Sequence, residues 1–234
     1  METTAVKKMH DSLILIPAFN AEDTLRGVLD SVKPFCENVL VVNDGSIDKT
    51  ADVVRSCSWV RLCEHERNKG KGAALATGMT LAKQLGYRTV ITMDADGQHC
   101  PSEIPGFLQE YAQTGSHIIV GSRFHENSHS EDSVPLVRLI SNRLSSALLS
   151  WRIGSRITDG QSGFRLYDLS VADLFEGLNP GFVWETQILV RAAQSGLKIA
   201  EIPITRRYPD GTKTSHYRSI RDSAQIIKAI FSKH

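Results

Sequence analysis

The most constraining feature of this sequence is a series of short apolar runs without alternation, each followed by a helical pattern. SLILIP at 12–17, NVLVVND at 38–44, WVRLCEH at 59–65, YRTVITMD at 87–94 and HIIVGS at 117–122 read as strands buried on both faces. After the first run, Ala21, Leu25, Val28, Leu29 and Val32 fall at helical spacing. Ser46 or Asp48 can cap a helix after the second run. Residues 70–85 carry Leu75, Met79 and Ala82 on one face, and 101–111 also reads as helical. Strands alternating with helices of about 10–15 residues predict an α/β fold, a mostly parallel central sheet with helices on both faces.

Sheets of this kind bind ligands at the carboxyl ends of their strands. Those ends are polar here: Pro17-Ala18-Phe19-Asn20, Asn43-Asp44-Gly45-Ser46, Asp94-Ala95-Asp96 and Gly121-Ser122-Arg123. Asp and Gly are ordinary turn residues, which accounts for any one of these ends but poorly for the set. The set predicts a shared site. Asp94 and Asp96 alternate just past a strand, where both can lean toward one hard divalent cation, with Gln98 or His99 in reach. NKGKGAA at 68–74 is a glycine-rich turn opening a helix, and it places Lys71 where a phosphate or nucleotide can be contacted. It is not a GxxxxGK[ST] loop, and a plain helix start with flexible glycines is the alternative.

Beyond residue 123 the pattern changes. HENSHSEDS at 125–133 reads as a polar loop, 135–151 and 182–195 as helices, and 157–168 and 197–208 as strands with polar flanks. Residues 217–231 form an amphipathic pattern with Ile220, Ala224, Ile227 and Phe231 on one side. No repeat, low-complexity segment or linker interrupts the chain, so residues 1–234 are expected to form one domain.

The net charge of +1 hides an asymmetry: residues 206–234 carry seven Lys or Arg against Asp210 and Asp222, and 135–165 carry five arginines against Asp159. A basic second half suggests a phosphate-bearing partner or an anionic surface, a solvated face being the alternative. A nucleic acid polymer is not expected as a partner. No apolar run reaches the roughly 18–20 residues of a membrane span, and METTAVKKMHDS lacks the apolar region of a secretory signal. The four cysteines form no CxxC pair and are expected to be reduced thiols in a cytoplasmic protein.

The blocks LILIPAFNAEDTL, VVNDGSIDKT, NKGKGAAL, MDADGQHCPSEIP, VGSR and QSGFRLY, in this order, resemble family 2 glycosyltransferases over residues 12–217. The likeness is to the polyprenyl-phosphate branch, which includes dolichyl-phosphate mannosyltransferases. It implies a GT-A nucleotide-binding sandwich that inverts the anomeric centre of a GDP- or UDP-sugar, of the GDP-mannose or UDP-glucose type. Residues 12–123 would be the nucleotide-sugar half, 124–217 the acceptor half and 217–234 a C-terminal amphipathic helix. By the same resemblance Pro17, Ala18, Phe19, Asn20 and Glu22 would form the nucleotide pocket, with Asp44 near the base. Asp94 and Asp96 would hold Mg2+ or Mn2+ on the diphosphate, with Ala95 between them and Gln98 as the third metal-side residue. Arg123 would face the phosphates or the acceptor.

For the acceptor, QSGFR at 161–165 makes Ser162, Gly163 and Arg165 candidates. Some relatives have an aspartate where this chain has Gly163, which leaves Asp159 as the nearest carboxylate and Glu185 as a second candidate base. A helix carboxylate in a salt bridge is the alternative for Glu185. Arg206, Arg207 and Lys213 lie in RRYPDGTKTS, a basic flap suited to a phosphate acceptor, or a solvated loop. A phosphate acceptor needs no strong base, because its second pKa is about 6. Helices at 135–151 and 217–231 have apolar faces flanked by arginines, so peripheral contact with a membrane is expected alongside the alternative of core packing. Three other readings stay open. One is a family 2 enzyme with a soluble hydroxyl acceptor. Another is a sugar nucleotidyltransferase, whose usual glycine- and arginine-rich loop is absent from PAFNAEDT, and the third is a binding module without catalysis.

Overall fold

Each apolar run except the third forms a strand that is buried throughout, apart from half-buried Pro17 in the first. The computed structural model describes residues 11–128, 136–205 and 226–231. Its strands are β1 (Ser12–Ala18), β2 (Val39–Asn43), β3 (Val60–Glu64), β4 (Thr89–Thr92), β5 (Ile118–Ser122), β6 (Arg165–Asp168) and β7 (Ile199–Pro203). They form one seven-stranded sheet in the order β3-β2-β1-β4-β6-β5-β7. The helices are α1 (Leu25–Val32), α2 (Thr50–Arg55), α3 (Lys71–Gln84), α4 (Ile104–Thr114), α5 (Leu136–Ile153) and α6 (Trp184–Gln194).

Successive side chains of a strand point to opposite faces, so a strand without alternation must be covered twice. Leu13 and Leu15 of β1 join one core with Leu75 and Met79 of α3 and Trp184 and Ile188 of α6. Ile14 and Ile16 join the other with Leu25 and Leu29 of α1 and Phe107 of α4. Each such side chain contributes roughly 1.5–3 kcal/mol by leaving water. The sheet edge corrects one expectation: β3 is only partly buried and Arg61 is exposed, because β3 is the edge strand and no strand among the described residues pairs with its outer side.

The strand expected over 157–168 is confined to Arg165–Asp168, and its direction decides the site. β6 runs antiparallel to both β4 and β5, while all other pairings are parallel. Arg165 lies opposite Thr92 of β4 and Val120 of β5. Residues 157–164 therefore enter the sheet at the edge where β4 and β5 end. One edge collects both aspartates, Arg123 and the QSG turn.

α5 packs against α6. It leaves Ile140, Leu144 and Trp151 outward, with exposures of 58, 55 and 73%. Among the described residues, no helix is long and apolar enough to cross a membrane. Of the C-terminal amphipathic pattern, residues 226–231 are described and helical, and the Phe231 ring lies 6.1 Å from that of Trp151. Arg206, Arg207 and Lys213 fall outside the described residues.

Candidate active site

The ends of β1 and β2 are laced together before any ligand arrives. Asp44 N donates to Ala18 O (2.8 Å), Asn20 N to Ser46 Oγ (2.9 Å) and Ile47 N to Asn20 Oδ1 (3.0 Å). Glu22 accepts from Lys49 N at 2.8 Å, and Asp48 Oδ1 accepts from Thr50 N at 3.0 Å, capping the first turn of α2. Asn20 holds φ +49°, a left-handed conformation that Asn adopts more readily than most residues. Beside these latches Pro17 is half-buried, Ala18 is buried and Phe19 is exposed.

Asp44, expected near a base, is tied up within the protein. It is buried, and its carboxylate accepts from His65 Nδ1 (2.6 Å), Lys69 N (2.9 Å) and Gly70 N (2.8 Å). His65 is fixed in turn by Thr77 Oγ1 at 2.9 Å. Asp44 therefore shapes the glycine-rich turn from beneath. That turn also differs from a phosphate cradle: the amides of Lys69 and Gly70 are taken by Asp44, and that of Ala73 by Pro180 O. Its contribution to the site is the Lys71 side chain.

Lys71 Nζ lies 2.7 Å from Asp94 Oδ1 and 3.2 Å from Glu185 Oε2. Burial works against the charge on Asp94, yet Lys71 and His99 outweigh it and hold its pKa below the usual carboxylate range. Asp96 is the opposite case: burial first, and then the neighbouring Asp94 charge, push it up to about 6. His99 stacks on Phe164 with ring centroids 5.0 Å apart, and burial lowers its pKa to about 4, so it sits neutral beside Asp94. Gln98 meets Asp96 through its backbone, N to Oδ1 at 3.0 Å. The donor set fits a hard divalent cation, because two half-buried like charges at alternate positions both gain from an ion between them. Among the described residues no group of three or more His, Cys, Asp or Glu is arranged to hold a metal alone. A diphosphate and water would fill the other positions, as is usual for Mg2+.

Gly163 explains how the QSG turn comes so close. A Cβ there would lie 2.6 Å from Asp94 Oδ2 and 2.9 Å from Lys71 Nζ. Thr92 Oγ1 pins the turn by donating to Gly163 O at 2.7 Å. The neighbouring candidates require correction. Ser162 and Arg165 are wholly buried, and Arg165 donates to the carbonyls of Ser162 (2.7 Å), Glu185 (2.6 Å) and Gly160 (2.8 Å). Arg165 ties the turn to the start of α6 and is sealed from an acceptor.

Asp159 changes role in the same way. It is 0% exposed, and grips Arg123 at both oxygens, 2.6 Å from Nε and 3.0 Å from Nη2. Glu201 holds that turn from below, accepting from Thr158 N at 2.8 Å and Asp159 N at 3.2 Å. Arg123 is thereby aimed, and its charge helps lower the pKa of both Asp94 and Asp96. Glu185 is 3% exposed; burial raises its pKa, and Lys71 is its ion-pair partner.

A cavity of about 610 Å3 opens from Arg123 along α5, lined among others by Leu139, Arg143, Ala147, Arg156 and Ile157. Arg143 and Arg156 escaped sequence reasoning as individuals, although the excess of arginine over 135–165 was the signal for them.

The mixed, mostly parallel seven-stranded sheet with helices on both faces is that of a GT-A fold, and comparison with known proteins agrees on the family. The model of the family described as "Glycosyl transferase family 2" matches residues 13–175. The chain is 30% identical to UDP-N-acetylglucosamine–dolichyl-phosphate N-acetylglucosaminyltransferase of Methanococcus voltae, over 86% of this chain and 88% of that protein. It is 27% identical to polyprenol monophosphomannose synthase of Mycolicibacterium smegmatis, over 87% of this chain and 80% of that protein. Among solved structures, glucosyl-3-phosphoglycerate synthase of Mycobacterium tuberculosis, in complex with Mn2+, UDP and product, superposes with TM-score 0.70 at 20% identity. That match covers 97% of this chain and 82% of the other, and bears on the fold. This chain belongs to glycosyltransferase family 2 and is a glycosyltransferase.

Proposed function

We propose that the protein transfers a hexose from a nucleotide-sugar, of the GDP-mannose or UDP-glucose type, to a polyprenyl phosphate, with inversion and with Mg2+ or Mn2+. The observation that carries this reading is one sheet edge where Asp94 and Asp96 stand beside Arg123, and Arg123 opens onto a cavity shared with Arg143 and Arg156. The names of the Methanococcus and Mycolicibacterium relatives, both polyprenyl-phosphate enzymes, support the same acceptor.

Asp94 and Asp96 would hold the cation against the donor diphosphate, and Asn20 and Glu22 keep the nucleotide-side loops in place. When bound, the cation stabilises charge on the departing diphosphate. Arg123, aimed by Asp159, and Arg143 and Arg156 attract an anionic acceptor into the cavity. A phosphate acceptor with a second pKa of about 6 is already largely a dianion at neutral pH, so its oxygen can attack the anomeric carbon without a base. This matches a site in which Asp159 and Glu185 are both buried and engaged with cations. The exposed apolar stripe on α5 would meet the lipid surface that carries such an acceptor.

A thermal-shift titration tests the donor side. UDP or GDP is expected to raise the melting temperature only when Mn2+ or Mg2+ is present. Asp96→Ala is expected to abolish the metal-dependent rise, and an unchanged rise with the same metal dependence in the variant would count against the ligand assignment.

A further inference from the structure

The Lys71 ammonium touches the oxygen that a cation would need. It stands 2.7 Å from Asp94 Oδ1, and its other anionic neighbour is Glu185 Oε2 at 3.2 Å. Glu185 is 97% buried by its 3% exposure, and its second oxygen, Oε1, has no hydrogen-bond partner among the described residues. A buried carboxylate oxygen without a donor is costly, and such an atom needs a reason to persist. We propose that Lys71 is a tethered counter-cation that occupies Asp94 in the ligand-free enzyme and moves its pairing to Glu185 when the site is loaded, so that metal binds weakly until a nucleotide diphosphate accompanies it.

The geometry supplies each part of this exchange. Lys71 is the first residue of α3, following Gly70 at φ +100°, and a Cβ on Gly72 would strike Trp184 Cβ at 2.6 Å and Gly181 O at 2.7 Å. The start of α3 is thus locked against the start of α6, which carries Glu185. Lys71 has a fixed base, and its flexible stem has two anions within reach. Breaking the Asp94 contact does not strand its charge, since Glu185 already holds it and Oε1 can accept a second hydrogen bond. Without Glu185, releasing Asp94 would leave a half-buried ammonium, its side chain 25% exposed, without a carboxylate partner, which is unfavourable. A diphosphate adds negative charge at the same place and favours the loaded arrangement. Metal and nucleotide then reinforce each other's binding, as linkage requires of two ligands that favour one state.

This inference rests on the reading of Asp94 and Asp96 as metal ligands, and the experiment separates the two. Mn2+ binding is measured by EPR at pH 8, with and without UDP or GDP, for the wild type and for Lys71→Met, Glu185→Gln and Asp94→Asn. Without nucleotide, K71M is expected to bind Mn2+ about 10-fold more tightly than the wild type, because a competing charge is gone, and E185Q several-fold more weakly. The gain in Mn2+ affinity that nucleotide gives the wild type is expected to shrink in K71M. If K71M binds Mn2+ no more tightly while its circular dichroism is native, the counter-cation role is wrong. If K71M does not fold, E185Q decides: unchanged or tighter Mn2+ binding overturns the proposal. If Mn2+ binds the wild type and D94N equally in the presence of nucleotide, the metal reading itself fails.

Discussion

Asp159 and Arg165 show how the same residue types serve a site from two distances. Both lie beside the reactive edge, yet both are 0% exposed and spend their polar atoms on the protein. Asp159→Asn keeps the shape but removes the charge that aims Arg123, whose side chain is 20% exposed. Breaking a buried pair costs about 3–5 kcal/mol, and partial exposure puts this variant near about 3 kcal/mol. Urea unfolding is expected to show that loss, and the acceptor KM is expected to rise more than the donor KM. A variant with native stability and kinetics would place Arg123 outside the acceptor's reach. The sequence made Asp94, Asp96 and Arg123 legible because strand ends are read from apolar runs alone. It could not separate a half-exposed carboxylate at a strand end from one that grips an arginine, since burial at residues 157–165 is set by distant partners such as Glu201 and Glu185.

Among elements, the strands were legible because a run covered on both faces needs no partner to be recognised. The direction of β6 was not, since periodicity along a strand carries no information about which way its neighbours run. That one antiparallel strand delivers the QSG turn to Asp94. The contact between α3 and β1 is another case in which packing overrides local preference. Gly78 lies inside α3, where alanine would favour the helix by about 1 kcal/mol. A Cβ there would sit 2.2 Å from Leu15 Cδ1 and 2.6 Å from Cδ2, and Leu15 is itself 0% exposed. Overpacking of this kind costs about 1–3 kcal/mol, so Gly78→Ala is expected to destabilise by up to about 2 kcal/mol in a denaturant titration. A stabilised variant would mean that α3 stands farther from the sheet than described.

At the scale of the whole molecule, the cavity beside Arg123 and the apolar stripe of α5 belong to one side of the fold, since α5 lines the first and carries the second. Ile140, Leu144 and Trp151 stand outward, with Phe231 against Trp151, and Arg143, Arg152 and Arg156 lie on or just after the helix. The protein is expected to sediment with anionic vesicles, less at high salt and less again as Trp151→Asp; equal binding by the variant would place the membrane contact elsewhere. The central claim is tested most directly by sugar transfer from UDP- and GDP-sugars to a short polyprenyl phosphate, beside the polyprenol of the same length. Product is expected from the phosphate alone, lost in EDTA, restored by Mn2+ and absent in Asp96→Ala. Equal transfer to the free alcohol, or full activity in EDTA, would contradict it.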